Sequence, residues 1–426
     1  MGTGTGRPIE TNWAGNHRYR ARIVRARSVE HVQELVAGAR RVRALGSRHS
    51  FTDLTDITDA DDGVLVSLAD LPTGVTVDAS SRSARVTGGA TYGDVAVALE
   101  RQGWALGNLA SLPHISVAGA VATGTHGSGV GNGSLATAVA ALEVVGPDGE
   151  LRTVARGDAD FEGSVVALGA LGVVTAVTLD IEPTYAVRQD VYTGLAWAAL
   201  VEDLDLVTGS AYSVSLFTRW REDGIEQVWL KSRADEAPAA LPGASAATTT
   251  LHMLEGGATA SVTAQGGVPG PWLERLPHFR PGVTPSRGEE LQSEYLVPRE
   301  HALTAVDRLR ALGERMAPVL QVSELRTVAA DRLWLSGAQG RDIVAVHFTW
   351  VRDPVRVYAV LPAVEAALLP LGARPHWGKC FVAGVRELEP LYDRLPDFRA
   401  LRERVDPAHV FGNAFLDRAL GRDGDG

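Results

Sequence analysis

The chain has 426 residues, 45% of them hydrophobic and 22% charged, with a formal net charge of −10 at pH 7 and a mean hydropathy near zero. That length exceeds one compact core and points to two or three domains, while the acidic balance and the lack of a basic run argue against nucleic acid or an anionic membrane surface as the main partner. The single cysteine, Cys380, excludes an internal disulfide and any multi-cysteine metal site, as expected of a protein kept in a reducing cytoplasm.

Residues 1–10, MGTGTGRPIE, lack the apolar core of a signal peptide and read as a loose leader. Ser28 can cap a helix running to about residue 40, with Val29, Val32, Leu35 and Val36 on one face. Residues 41–45 then read as a short strand and 46–50 as the tight turn that leaves it. Short strands follow at 64–68, 74–77 and 84–87, then a helix over 92–102 capped by Thr91.

From Gln102 to Leu142 no Asp, Glu, Lys or Arg occurs, and the segment 108–134 packs Gly119, Gly124, Gly127, Gly129, Gly131 and Gly133 close together. Glycine at this density lets backbone N–H groups approach a ligand, so a bound anion such as a pyrophosphate suits it. A membrane span does not, because Asn108, Ser111, Pro113, His114 and the glycines break the run. Two nucleotide motifs fit on letters and fail on context. Gly131-Asn-Gly133-Ser-Leu-Ala136 has no clean strand before it, and Gly372 to Lys379 has one residue too many between its glycines, with Cys380 where Ser or Thr is needed.

Strands at 139–145 and 151–154 flank Pro147-Asp-Gly149, a hairpin turn signal. The apolar run 164–179, interrupted by Gly169 and Gly172, reads as a buried helix-to-strand unit, and a first domain boundary falls near Glu182-Pro183. Beyond it, strands such as 213–217 and 227–230 alternate with helices such as 299–315 and 361–369, the latter with Pro362 suited to a first turn. Residues 234–247 and 266–289 read as surface loops or linkers, 388–420 as a segment packing back on the first domain, and 421–426 as a frayed tail. The expected organisation is thus 1–185, 186–375 and a returning segment 376–426.

Chemistry concentrates on two strands of the second region. In Val322-Ser-Glu-Leu-Arg-Thr-Val328, Glu324 and Arg326 share a face; in Val344-Ala-Val-His-Phe-Thr-Trp350, His347 and Thr349 do the same. Neighbouring strands can merge these faces into one polar pocket, although the pattern is equally that of a solvated sheet face carrying a salt bridge. Of 41 basic residues only Lys231 and Lys379 are lysine. Where Arg is the default cation, a retained Lys either reflects drift or a need for a cation that can lose its proton.

The motifs Gly46-Ser-Arg-His-Ser-Phe51, Ser111-Leu-Pro-His-Ile-Ser-Val-Ala-Gly119, Ala122-Thr-Gly-Thr-His-Gly127, Glu324-Leu-Arg326, His347-Phe-Thr-Trp350 and Arg374-Pro-His-Trp-Gly-Lys379 together resemble the alditol oxidases, which are vanillyl-alcohol-oxidase-like flavoproteins. The resemblance spans roughly residues 11–417. It implies an α+β, two-domain FAD-binding fold with a substrate-binding cap domain, and FAD attached covalently through His49, whose neutral imidazole is a suitable nucleophile. Ala44, Leu45, Gly46, Ser47, Arg48, His49, Ser50, Ser111, Ser116, Gly119, Thr123, Gly124, Thr125, His126 and Val174 match family positions lining FAD. His114 and His126 are expected to be structural there.

For a polyol substrate, the resemblance implies Ser111, Glu324, Arg326, His347, Thr349 and Lys379, with Arg326 and Lys379 catalytic through the developing alkoxide as hydride passes from C1 to flavin N5 and O2 is reduced to hydrogen peroxide. Substrates such as xylitol or sorbitol and a monomeric enzyme with no metal, membrane or nucleic-acid partner complete the expectation. Arg48 stands where much of the wider superfamily has Gly; if that position needs a positive φ, Arg carries a cost of about 1–2 kcal/mol, and its guanidinium is available to the pyrophosphate. The alternatives are a sugar-lactone oxidase or dehydrogenase, and a nucleotide- or polyol-binding module without turnover.

Overall fold

The computed structural model describes residues 10–57, 63–237, 240–280, 282–283 and 289–421. Of the leader expected over 1–10 and the tail expected over 421–426, all but Glu10 and Gly421 lie outside the described residues. Among the described residues, three sheets of three or more strands carry the fold. A parallel three-stranded sheet orders Arg22–Arg25, Gly63–Ser67 and Arg41–Leu45, and an antiparallel five-stranded sheet orders Val75–Asp78, Ser83–Thr87, Val173–Asp180, Val139–Val145 and Leu151–Ala155. The chain then enters a large antiparallel sheet whose centre runs Ala186–Leu195, Ile225–Arg233, Ser213–Thr218, Leu320–Val328, Ile343–Val351 and Glu290–Pro298.

Local chemistry accounts for the early elements. Ser28 accepts from the His31 N–H at the start of helix Val29–Ala37, which ends at Gly38, short of residue 40. Thr91 and Asp94 form a reciprocal capping box on helix Tyr92–Glu100. The helix buries Tyr92, Val95, Ala96 and Leu99 in a core shared with Val117, Leu142 and Val177. Residues of the returning segment, among them Leu388, Tyr392, Phe398, Leu401 and Phe415, enter that same core, and Phe411 fills the core of the parallel sheet beside Val42 and Val66.

Three sequence expectations are corrected. The helix expected over 361–369 is Pro354–Leu368, so it is Pro354 that occupies the first turn, after the Asp353 cap, and Pro362 lies inside. Packing outweighs the lost hydrogen bond there, because Val357, Val360, Leu361, Val364 and Leu368 bury a continuous stripe against the large sheet. With the turn after it, this segment, Pro354–Leu371, is long and apolar enough to cross a membrane by length and composition alone. Nor is 266–289 simply a surface loop: Trp272, Leu276 and His278 are buried, and Trp272 donates its indole N–H to Glu100 at 2.8 Å. Within the other expected loop, Ser245–Ala246 pairs with the large sheet and Leu241 is buried; positions 238–239, 281 and 284–288 lie outside the described residues.

Candidate active site

A cavity of about 390 Å³ runs from the small sheets to the face of the large one, within the range of roughly 300–1,000 Å³ usual for ligand sites. At its first end the loop leaving strand Arg41–Leu45 faces the loop around helix Val117–Ala122. They interlock through two reciprocal bonds: Ser47 N–H donates to Ser116 Oγ at 3.3 Å, and Ser116 N–H donates to Ser47 Oγ at 3.0 Å. The approach requires glycine, since a Cβ at Gly46 would lie 2.6 Å from Ser116 Oγ. Gly46→Ala is therefore expected to separate the loops and cost about 1–3 kcal/mol, seen as a lower thermal midpoint together with reduced flavin content of the purified protein.

Ala44, Leu45, Gly46, Ser47, Arg48, His49, Ser50, Ser111, Ser116, Gly119, Thr123, Thr125, His126 and Val174 all line the cavity. Gly124 does not; with φ of 67° it turns the chain between Thr123 and Thr125. The glycine cluster is thus divided in function. Gly119 faces the cavity, whereas residues 127–133 dock on the large sheet, with Gly129 N–H donating to Thr327 O and Ala329 N–H to Asn132 O.

Among the described residues the carboxylates on the cavity wall are Glu290 and Glu324, both at the large-sheet end, while the cations Arg43 and Arg48 stand at the other. An anionic pyrophosphate fits the end without carboxylates, so the residues present fit FAD. Arg48 does adopt φ of 65°, the left-handed conformation that disfavours a side chain. Its guanidinium pairs with Glu10 at 2.5 Å and lies over the Tyr19 ring, so it is already engaged and not free for a phosphate.

His49 stacks on Trp13 with ring centroids 5.4 Å apart, and its Nδ1 is buried with no hydrogen-bond partner among the described residues. Burial, reinforced by nearby His114, brings the imidazole down to about 4, so it is neutral at physiological pH. Phe51 N–H donates to Gly378 O at 2.8 Å, which ties the His49 loop to the turn that carries Lys379.

At the second end the two polar strand faces do merge. Leu320–Val328 and Ile343–Val351 pair with Glu324 opposite His347, and Glu324, Arg326, His347 and Thr349 are buried on the cavity wall with Ser111 and Lys379. The solvated-face alternative is thereby excluded. The Arg326 guanidinium is held loosely: its contacts to Ser111 Oγ, His126 O, Glu294 Oε2 and Glu324 Oε1 lie at 3.4–3.5 Å, and its Nε has no hydrogen-bond partner among the described residues. A buried cation with donors to spare is suited to receive ligand oxygens.

Sequence reasoning missed the residue at the centre of this cluster. Glu294, on strand Glu290–Pro298 opposite His347, accepts from Lys379 Nζ and bonds His126 Nε2, with His347 Nδ1 at 2.9 Å and Arg326 Nη2 at 3.5 Å. Burial alone would raise its carboxyl, but Lys379, His126 and Arg326 bring it well below the ordinary range. Lys379 also lies 2.8 Å from His347 Nδ1, and burial lowers the ammonium from its usual value. Burial, with Lys379 adding to it, brings His347 down to about 4. The signal was present in Glu290-Leu-Gln-Ser-Glu294, whose period of two places Glu290, Gln292 and Glu294 on one face, as in the other two strands. No comparable pattern marked His278, which hydrogen-bonds Glu324 from within the segment read as a loop.

Fold and site together define a flavoprotein oxidoreductase. Residues 21–155 match the FAD binding domain family and residues 285–419 the D-arabinono-1,4-lactone oxidase family. The chain is 50% identical over 408 residues to an alditol oxidase of a Streptomyces species, covering 95% of this chain and 97% of that protein. It is 31% identical over 442 residues to an L-gulono-1,4-lactone dehydrogenase of Mycobacterium tuberculosis, covering 97% and 99%. Its fold is that of a xylooligosaccharide oxidase from Myceliophthora thermophila, with TM-score 0.75 at 16% identity over 97% of this chain and 94% of the other, and of a cholesterol oxidase from B. sterolicum, with TM-score 0.76 at 16% identity over 97% and 96%. The chain belongs to the alditol oxidases, FAD-dependent enzymes of the vanillyl-alcohol-oxidase-like class.

Proposed function

We propose that this enzyme oxidises the terminal C1 hydroxyl of alditols such as xylitol and sorbitol to the aldose. The observation that carries the reading is the convergence of Ser111, Glu324, Arg326, His347, Thr349 and Lys379 on one wall of the cavity whose other end bears the His49 loop. A polyol is neutral and rich in hydroxyls, and these residues offer it both donors and acceptors. Arg326 and Lys379 hold the C1 hydroxyl and stabilise the negative charge that grows on its oxygen, Glu324 accepts from a neighbouring hydroxyl, and Ser111 and Thr349 fix the chain. Bound FAD supplies the hydride acceptor at N5, and its reoxidation by O2 gives hydrogen peroxide. The division into an FAD-binding part, 1–185 with 376–426, and a substrate-binding part, 186–375, belongs to the same proposal, as does action as a monomer.

Turnover of xylitol and sorbitol, followed as peroxide formed with O2, tests this reading. Turnover of an aldonolactone in their place, or activity with an artificial acceptor and none with O2, would move the enzyme to the lactone oxidases or dehydrogenases.

His49 is the proposed point of covalent attachment, to the flavin 8α-methyl. Its neutral, unpartnered Nδ1 supports that role. Acid precipitation is expected to give a yellow pellet from the wild type and a white pellet under a yellow supernatant from His49→Ala. A white wild-type pellet would reject the link, with the strained Arg48 as the residue to replace next.

A further inference from the structure

Behind the polyol-binding wall stands Lys231, one of the two lysines in a chain that otherwise uses arginine. It belongs to strand Ile225–Arg233 and is completely buried. Its Nζ meets three acceptors: Leu276 O at 2.5 Å, Pro277 O at 2.9 Å and His278 Nδ1 at 3.2 Å. Burial brings the amine down to about 7, and in its ammonium form it has three donors on one nitrogen and satisfies all three acceptors; the planar fork of Arg spreads its donors over three nitrogens and does not. That geometry explains why lysine stands here.

The arrangement has a consequence for the imidazole. His278 Nδ1 accepts from Lys231, so the proton of the neutral ring resides on Nε2, which donates to Glu324 Oε1 at 2.7 Å. The ring is neutral because burial brings it down to about 4. Ser215 Oγ, at 3.5 Å from Nε2, is the weaker neighbour, and Arg326 Nε approaches Glu324 Oε1 at 3.5 Å. Glu324 Oε2 takes no hydrogen bond from the described residues, and the side chain lines the cavity. With the opposite tautomer, the bare Nε2 and the carboxylate would be two acceptors face to face.

We propose that Lys231 is a positioning residue for polyol binding: by donating to His278 Nδ1 it fixes the Nε2–H tautomer, which anchors Oε1 of Glu324 and leaves Oε2 aimed at a substrate hydroxyl. The proposal rests on the reading that Glu324 binds the polyol. Because Glu324 is held to contact the substrate alike before and during reaction, loss of Lys231 acts on KM more than on kcat.

The test uses FAD-loaded enzyme with xylitol as the probe, flavin absorbance reporting cofactor occupancy. Lys231→Met is expected to raise KM about tenfold with kcat changed less than twofold. His278→Leu is expected to raise KM likewise, and His278→Gln, whose amide nitrogen reaches the place of Nε2 and donates whatever Lys231 does, to recover most of that loss. Adding Lys231→Met to His278→Gln is then expected to cost less than threefold more, the non-additivity of residues acting in series. An unchanged KM in Lys231→Met, or a full further tenfold rise in the His278→Gln background, would overturn the proposal. If Lys231→Met does not fold, equal KM values in His278→Gln and His278→Leu overturn it and a recovery in His278→Gln supports it. Glu324→Gln separates the two levels of argument: a wild-type KM there removes the polyol-site reading and this proposal with it, whereas a raised KM alongside an unaffected Lys231→Met removes this proposal alone.

Discussion

Lys379→Met is expected to slow reduction of the flavin by xylitol about 10²- to 10³-fold while FAD remains bound, as measured by anaerobic stopped-flow absorbance. The magnitude is that of removing one preorganised donor from a developing oxyanion. Lys379 is placed for this role by backbone contacts that the substitution leaves intact: its N–H donates to His376 O at 3.0 Å, and Gly378 O accepts from Phe51 N–H beside the His49 loop. The substitution also removes the ammonium's contacts to Glu294 and His347, but what is lost lies at the substrate end of the cavity and not in the cofactor cleft. Methionine keeps the unbranched stem, one atom shorter, and removes the charge, so the effect reports on the ammonium. Reduction at the wild-type rate would remove Lys379 from the mechanism and leave Arg326 as the one cation on the substrate oxygen.

What the sequence made legible follows from the range of the forces involved. Caps and turns are local, so Ser28, Thr91 and Pro147-Asp-Gly149 located their elements to within a few residues. Strand periodicity is local too, and it put Glu324 with Arg326 and His347 with Thr349 on common faces; that these faces merge depended on a pairing of two strands that no local signal specifies. Pro362 misled because proline rules describe the isolated helix, whereas five buried apolar residues on Pro354–Leu368 carry this one through it. Glu294 was legible in principle by the same period of two and was missed because its partners come from four separate segments, at His126, Arg326, His347 and Lys379. His278 was illegible. It acts from an irregular stretch whose position is set by the burial of Trp272 and Leu276, a tertiary fact with no sequence period.

The second large effect concerns stability. Glu294→Gln is expected to destabilise the protein by about 3–5 kcal/mol at pH 7, the usual consequence of removing one member of a buried ionic group and leaving the others uncompensated. Glu294 is 1% exposed, and the cations Lys379 and Arg326 face it together with His126 and His347. Burial opposes charge on both sides of the pair and lowers Lys379 as well; the ionised carboxylate prevails because three neighbours, Lys379, His126 and Arg326, favour it together. The sign of the pH dependence follows. A carboxyl whose folded value lies below its unfolded value of about 4.3 contributes its full stability above that value and loses it as pH falls through the folded value. The gap between wild type and Glu294→Gln, read as the midpoint of urea unfolding followed by tryptophan fluorescence, is therefore expected to be widest near neutrality and to close on acidification. A gap that persists unchanged into acid would mean that the amide disturbs packing and not charge. Equal midpoints at pH 7 would mean that solvent in the cavity, not Glu294, compensates Lys379 and Arg326, and the same cations would then be less sharply poised to receive the substrate oxygen.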